Sequence, residues 1–127
     1  MKIYISGKMN GYPNYRDKFN EAENKLREIG CDTVNPCTIS DILIQTFSYF
    51  NKKPETSVFM RDDISKLCDC DGILMLDNWT DSEGAIWEFL IAKKVLGIPV
   101  FFSIESIKEV VWMKNIVWEF KRKNRIQ

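Results

Sequence analysis

The 127-residue sequence contains no histidine. That absence removes the usual general base of serine and cysteine hydrolases and a common zinc ligand. Cysteine is scarce. Cys31, Cys37, Cys68 and Cys70 form no Cys-x-x-Cys pair, so buried, reduced thiols are expected rather than a metal centre. No metal or other cofactor is expected. No apolar run approaches the ~20 residues of a membrane-spanning helix. Net charge of one sign is also missing: 18 Lys and Arg balance 18 Asp and Glu. No general basic field is therefore available to bind polymeric nucleic acid. The basic end, KRKNRIQ, reads as a solvated helix end. MKIYISGKMNG carries one lysine before a strand-like run too short for the apolar region of a signal peptide. A cytoplasmic protein with no membrane contact is expected.

What is present suits one ordinary globular domain over residues 1–127: 45% hydrophobic, 28% charged and long enough to bury a core. Lys2–Ser6 reads as a strand ended by Gly7. Tyr15–Ile29 reads as a helix, with Phe19, Ala22, Leu26 and Ile29 on one face and Gly30 as its stop. Cys31–Asn35 reads as a second strand closed by Pro36. Residues 38–58 combine a helical apolar pattern with the loop-like NKKPETS, a helix and a flap. Phe59–Leu67 reads as a short helix with Phe59, Ile64 and Leu67 inward. Asp71–Leu76 is apolar like a buried parallel strand. Ser82–Leu96 reads as a helix stopped by Gly97, Pro99–Phe102 as a fourth strand, and Ile107–Lys121 as a final helix or, around VVWMKNIVW, an edge strand. The alternation predicts an α/β, Rossmann-like (flavodoxin-like) three-layer sandwich with a parallel sheet of four or five strands. Ligands in such sheets bind beyond the carboxyl ends of the strands, which draws attention to the loops SGKMNG, NPCT and DNWTDSEG.

One carboxylate is out of place. Glu88 interrupts GAIWEFLIA. At 3.6 residues per turn, Lys93 and Lys94 lie roughly 140° and 240° round from it. They mark the wet face, so Glu88 shares the stripe of Gly84, Ala85, Ile91, Ala92 and Val95. Helical side chains lean toward the N-terminus, so Glu88 leans toward the crevice, with Gly84 and Ala85 leaving volume in front of it. Burying an unpaired carboxylate is costly, and such groups often mark sites. The plainer reading is a glutamate satisfied by a hydroxyl or an N–H, without chemistry. Without histidine or metal, a carboxylate of this kind suits glycosidic chemistry with a second carboxyl helping the leaving group. Asp62, Asp63, Asp69, Asp71 and Asp81 are candidates. Asp63 is the best placed, while Asp71 belongs at the opposite edge of the sheet. The plainer reading of Asp62 and Asp63 is a solvated pair beside Arg61.

KIYISGKMNGYPNY, VNP, MRDDISKLCDCDGILMLDNW and DSEGAIWEFLIAKKVLGIPV together resemble the nucleoside 2-deoxyribosyltransferase-like superfamily, in a small branch found in phages and bacteria. The resemblance covers most of residues 1–102. It implies chemistry at the N-glycosidic bond of a nucleoside or nucleotide, by hydrolysis or by deoxyribosyl transfer. Glu88 matches the nucleophile, Asp63 the carboxyl that contacts and protonates the base, and Tyr4 a tyrosine that orients the nucleophile. Ser82 stands where true transferases carry aspartate and the monophosphate hydrolases carry serine. That favours a nucleoside 5′-monophosphate as the small-molecule partner. The resemblance also implies a homo-oligomer, a dimer, with a neighbour completing the pocket.

The residues themselves fit a phosphate. Ser6, Gly7, Lys8 and Met9, and Ser82 and Gly84 at a helix start, put small side chains and N–H groups near strand ends. Trp79 is placed to stack on a base. Trp112 and Trp118 suggest core or dimer surface. A non-catalytic nucleotide-binding or sensor module, and a protein-interaction domain using the aromatic C-terminal segment, are the competing expectations.

Overall fold

The computed structural model describes residues 1–125. The last two residues of the basic tail lie outside the described residues. The chain runs β1 (Lys2–Ser6), α1 (Tyr15–Glu28), β2 (Asp32–Val34), α2 (Pro36–Ser48), α3 (Thr56–Cys68), β3 (Gly72–Met75), a 3₁₀ turn (Trp79–Asp81), α4 (Glu83–Leu90), a π-helical segment (Ile91–Leu96), β4 (Val100–Phe101) and α5 (Ile104–Lys123). The four strands pair in parallel in the order β2-β1-β3-β4. The chain moves outward from β1 to β2, then returns to place β3 on the other side of β1. With right-handed crossovers, that reversal puts the helices after β1 and β3 on opposite faces. The result is the expected three-layer, Rossmann-like sandwich.

The core follows the two-residue period of a strand. Ile3 and Ile5 of β1 and Leu74 of β3 face α1 and α5, where Phe19, Ala22, Leu26 and Ile107 meet them. Tyr4, Ile73 and Met75 point the other way, packed with Leu67 of α3, Ala85 of α4 and Ala92. Tyr4 and Ser6 alternate with Ile3 and Ile5, so both hydroxyls lie beneath the α3–α4 layer. Both are fully buried.

Helix boundaries have local causes. Asn35 caps α2: its side chain accepts from the Cys37 amide at 3.0 Å, and Pro36 takes the first helical position, where a missing N–H costs nothing. This start is two residues earlier than the apolar pattern suggests. The 38–58 region is two helices, α2 and the start of α3, joined by a loop, and Arg16 of α1 bonds Asp41 of α2 at 2.7 and 2.6 Å. The final segment is one helix with no edge strand, begun by the Ser103 cap.

Two expectations need correction. Val95 does not share the Glu88 stripe and is 75% exposed. From Ile91 the hydrogen bonds run i→i+5, and the wider turn rotates Val95 away from the sheet. Cys68 is exposed, whereas Cys31, Cys37 and Cys70 are buried thiols; its place at the last turn of α3 turns it outward. No described helix is long and apolar enough to cross a membrane.

Gly72 shows how tightly β3 is held. A Cβ there would lie 3.0 Å from Phe101 and 3.2 Å from Ile3. Gly72→Ala should cost about 1–3 kcal/mol by overpacking, read as a lower urea midpoint. An unchanged midpoint would contradict the packing of Phe101 across β3.

Candidate active site

Glu88 is 6% exposed. It sits in α4, whose first turn is set by Ser82: the serine hydroxyl accepts from the Ala85 amide at 3.1 Å. The helix lies over the carboxyl end of β1, on the face that the strand period gives to Tyr4 and Ser6. Their hydroxyls take one carboxylate oxygen each. Tyr4 donates to Oε2, and Ser6 donates to Oε1 at 2.8 Å. No cation pairs with Glu88 in any described ion pair. Two neutral donors, rather than a salt bridge, compensate its burial.

Burial pushes Glu88 up from 4.5 to about 7, against the downward pull of the Tyr4 and Ser6 bonds. Asp63 of α3 is the second carboxyl at this place. Burial first, then the Glu88 charge and Asp62, raise it from 3.8 to about 7. Its Oδ1 is buried without a hydrogen-bond partner. Burial and then the Glu88 charge hold the Tyr4 phenol well above its ordinary value, so it remains a donor. The charge on Glu88 thus bears on Asp63, after burial. Glu88 receives two donors, which favour its anion; Asp63 receives none at Oδ1, so the proton of a singly protonated pair belongs on Asp63.

The other expected residues divide. Ser6 is turned inward to Glu88 rather than toward a ligand. Gly7 lies under Leu76 and Asn78: a Cβ there would be 3.0 Å from Leu76 and 3.2 Å from Asn78 Oδ1. The Lys8 amide donates to Asn78 Oδ1 at 3.1 Å, which leaves that amide occupied. Met9 packs against the α1 and α5 side of the core, away from Glu88. Trp79 is packed against Phe89, ring centres 4.9 Å apart, and near Phe102 at 6.2 Å, so its ring serves an aromatic cluster. Met60 sits by Gly84, its sulfur 3.6 Å from where a Cβ would be, and it fills part of the volume that Gly84 and Ala85 were expected to leave. Asp71 is at the far edge, where its carboxylate accepts from the Lys2 amide at 2.7 Å.

Asn78 and Met60 were not among the expected residues. Asn78 had a signal, since an Asn after a buried strand commonly bonds backbone in a turn. Met60 had none, because its nearness to Gly84 arises only from the packing of α3 on α4. Two concavities are described elsewhere: about 590 Å³ along α5, and about 250 Å³ between α1 and the start of α5. Among the described residues, no three His, Cys, Asp or Glu side chains gather to hold a metal ion.

A parallel sheet whose direction of travel reverses at β1, with paired carboxyls beside its carboxyl end, defines a class of ligand-binding α/β domain. Within it, the chain belongs to the family described as a domain of unknown function, DUF4406, which matches residues 1–102. No curated protein matches it. Among solved structures it is similar to the 2-deoxyribosyltransferase from the psychrotolerant bacterium Bacillus psychrosaccharolyticus. The two share 24% identity and a TM-score of 0.52 over 79% of this chain and 69% of that one. The chain thus shares the fold of that 2-deoxyribosyltransferase.

The raised carboxyls make stability depend on pH with a definite sign. Folding favours their protonated forms, so the contribution is whole below about pH 4 and is lost as pH rises through about 7. Wild type should melt lower at pH 8 than at pH 5. Glu88→Gln should remove on the order of 3 kcal/mol of that difference. Equal pH slopes in the two proteins would show that Glu88 titrates normally.

Proposed function

We propose that this protein breaks the N-glycosidic bond of a nucleoside 5′-monophosphate, with Glu88 as nucleophile and Asp63 as acid. The observation that carries this reading is a buried glutamate bracketed by Tyr4 and Ser6, whose charge raises a second, half-buried carboxyl with a buried, unpartnered Oδ1. The likeness to a 2-deoxyribosyltransferase supports it through the fold.

In the first step, a Glu88 oxygen forms a bond to C1′ as the bond from C1′ to the base nitrogen breaks. The Asp63 proton passes to the leaving base. The Tyr4 and Ser6 hydroxyls hold the carboxylate plane while its charge is used. In the second step, water or another base attacks C1′ and gives its proton to Asp63, and the C1′–Glu88 bond breaks. Water gives hydrolysis and a second base gives transfer.

The phosphate would lie at the start of α4. There Ser82 leaves the amides of Glu83 and Gly84 without an intrahelical acceptor. The serine at position 82 favours the monophosphate over a free nucleoside.

A second reading has two observations behind it. Glu88 is buried to 6% exposure and Met60 lies beside Gly84, which suits a module that binds a nucleotide without cleaving it. Incubation with a panel of nucleoside 5′-monophosphates, followed by chromatography of the free base, decides between them. Base release is expected, lost in Glu88→Ala and reduced about 10²–10⁴-fold in Asp63→Asn. Release that survives unchanged in Glu88→Ala removes the nucleophile. Thermal stabilisation by a nucleotide with no base released establishes the binding module instead.

A further inference from the structure

Helix α5 has two apolar faces, and the domain uses only one of them. Ile107 is its one buried residue, and Ile104 and Val111 pack on the core beside it. Trp112, Ile116, Phe120, Met113 and Val117 fall between about 140° and 280° round the helix from Ile107. They face away from the sheet and are 43–67% exposed. A stripe of this size is not the scattered single side chains of an ordinary surface. Trp118 stands outside it, within about 20° of Ile107, with Arg122 over its ring at 5.5 Å. The stripe lies beyond the residues matched by the family, which end at 102.

The charge around the stripe has one dominant sign. Residues 112–125 carry Lys114, Lys121, Arg122, Lys123 and Arg125 against Glu119, in a chain whose net charge is zero. Glu119 is held by Arg122 at 2.8 Å. Lys114, Lys121, Lys123 and Arg125 enter none of the described ion pairs. Lys123 closes the stripe at its C-terminal end, and Lys121 borders it about 40° beyond Val117. Lys114, Arg122 and Arg125 stand behind, on a helix only about 10 Å across, close enough to act before salt screens them. Glu105 and Glu109 share the outward side nearer the helix start, so the apolar, basic surface begins at Trp112.

We propose that residues 112–125 dock in the plane of an anionic phospholipid surface, with the stripe at the acyl-chain boundary and the cations among the headgroup phosphates. Helices that lie in this plane join tryptophan and other large apolar groups on one face to lysine and arginine on the other; none of them has to span the bilayer. Trp112, at the edge of the stripe, takes headgroup depth, where an indole keeps its N–H wet and its ring dry. A protein partner would have to bring carboxylates to Lys114, Lys121, Lys123 and Arg125 as well as an apolar groove. Phosphate headgroups supply that charge at every point of the surface. Helix α5 packs on the opposite face of the sheet from α3 and α4, so docking leaves the Glu88 side open.

The test is co-sedimentation of the full chain with vesicles of phosphatidylcholine alone and of equimolar phosphatidylcholine and phosphatidylserine. Binding is expected on the anionic vesicles and should fall as salt is raised. Met113→Glu with Ile116→Glu, both at exposed positions, should weaken it about tenfold or more with an unchanged circular dichroism spectrum. Lys121→Glu with Lys123→Glu should weaken it as much. Phosphatidylcholine brominated on its acyl chains should quench the fluorescence of wild type and of Trp118→Phe, and far less that of Trp112→Phe. No binding to anionic vesicles overturns the proposal, as does equal binding to neutral ones. Binding that the Met113 and Ile116 substitutions leave intact, or quenching that follows Trp118 instead of Trp112, also overturns it. Protein that ignores vesicles and sediments as a dimer dispersed by the same substitutions gives the stripe to a second copy instead. None of these readouts depends on catalysis at Glu88.

Discussion

The site depends on one constraint: a carboxylate taken out of water without a cation. A buried anion without compensation would shift the balance of a marginally stable domain by several kcal/mol. The compensation comes from two hydroxyls on one strand, Tyr4 and Ser6, each given to one oxygen of Glu88. Both point to the same face because they are two residues apart on β1. The nearness of α4 to β1 is needed before either can reach the carboxylate. Helix, strand and acid are therefore coupled, and a shift of α4 along the sheet would leave three buried polar groups unpaired at once.

The surroundings serve that arrangement. The Ser82 cap fixes where α4 begins, and so which turn holds Glu88. Ala85 and Ala92 allow the helix to approach the sheet closely, and both are buried against it. The π-helical segment then releases Lys93, Lys94 and Val95 to solvent while Ala92 stays inside. On α3, Asp63 adds a second acid whose free oxygen and raised proton affinity arise from the same dry place. The two helices thus bring together a carboxylate with two donors and a carboxyl whose Oδ1 has none.

Much of this was legible in residues. The fold class follows from the alternation of strands and helices, and the odd position of Glu88 follows from the lysines opposite it. Asp63 was reached from its place on the helix before the third strand and Tyr4 through the resemblance; Tyr4 bonds Glu88, and the Glu88 charge raises Asp63. Pro36 was read only as the close of the second strand, and the structure shows that Asn35-Pro36 also starts α2. What escaped was non-local. Ser6 was expected to meet a ligand and instead meets Glu88, 82 positions away in the chain. Met9 and Trp79 were expected in the crevice and are used in packing, because their neighbours across the sheet, not their own segments, set where they turn. Val95 failed for a different reason: a single change of helical period breaks any pattern computed at 3.6 residues per turn.

By itself, then, the order of residues determined the layers, the burial of one glutamate and the side of the sheet that it faces. Periodicity is a local property, and periods of two and 3.6 decide which way each side chain faces. Tertiary structure alone decided which hydroxyls compensate Glu88, that Asp63 keeps an oxygen unpaired, and that Met60 stands beside Gly84. Those are distances between segments far apart in the chain, set by how closely helices settle on a sheet, and no one segment carries that information.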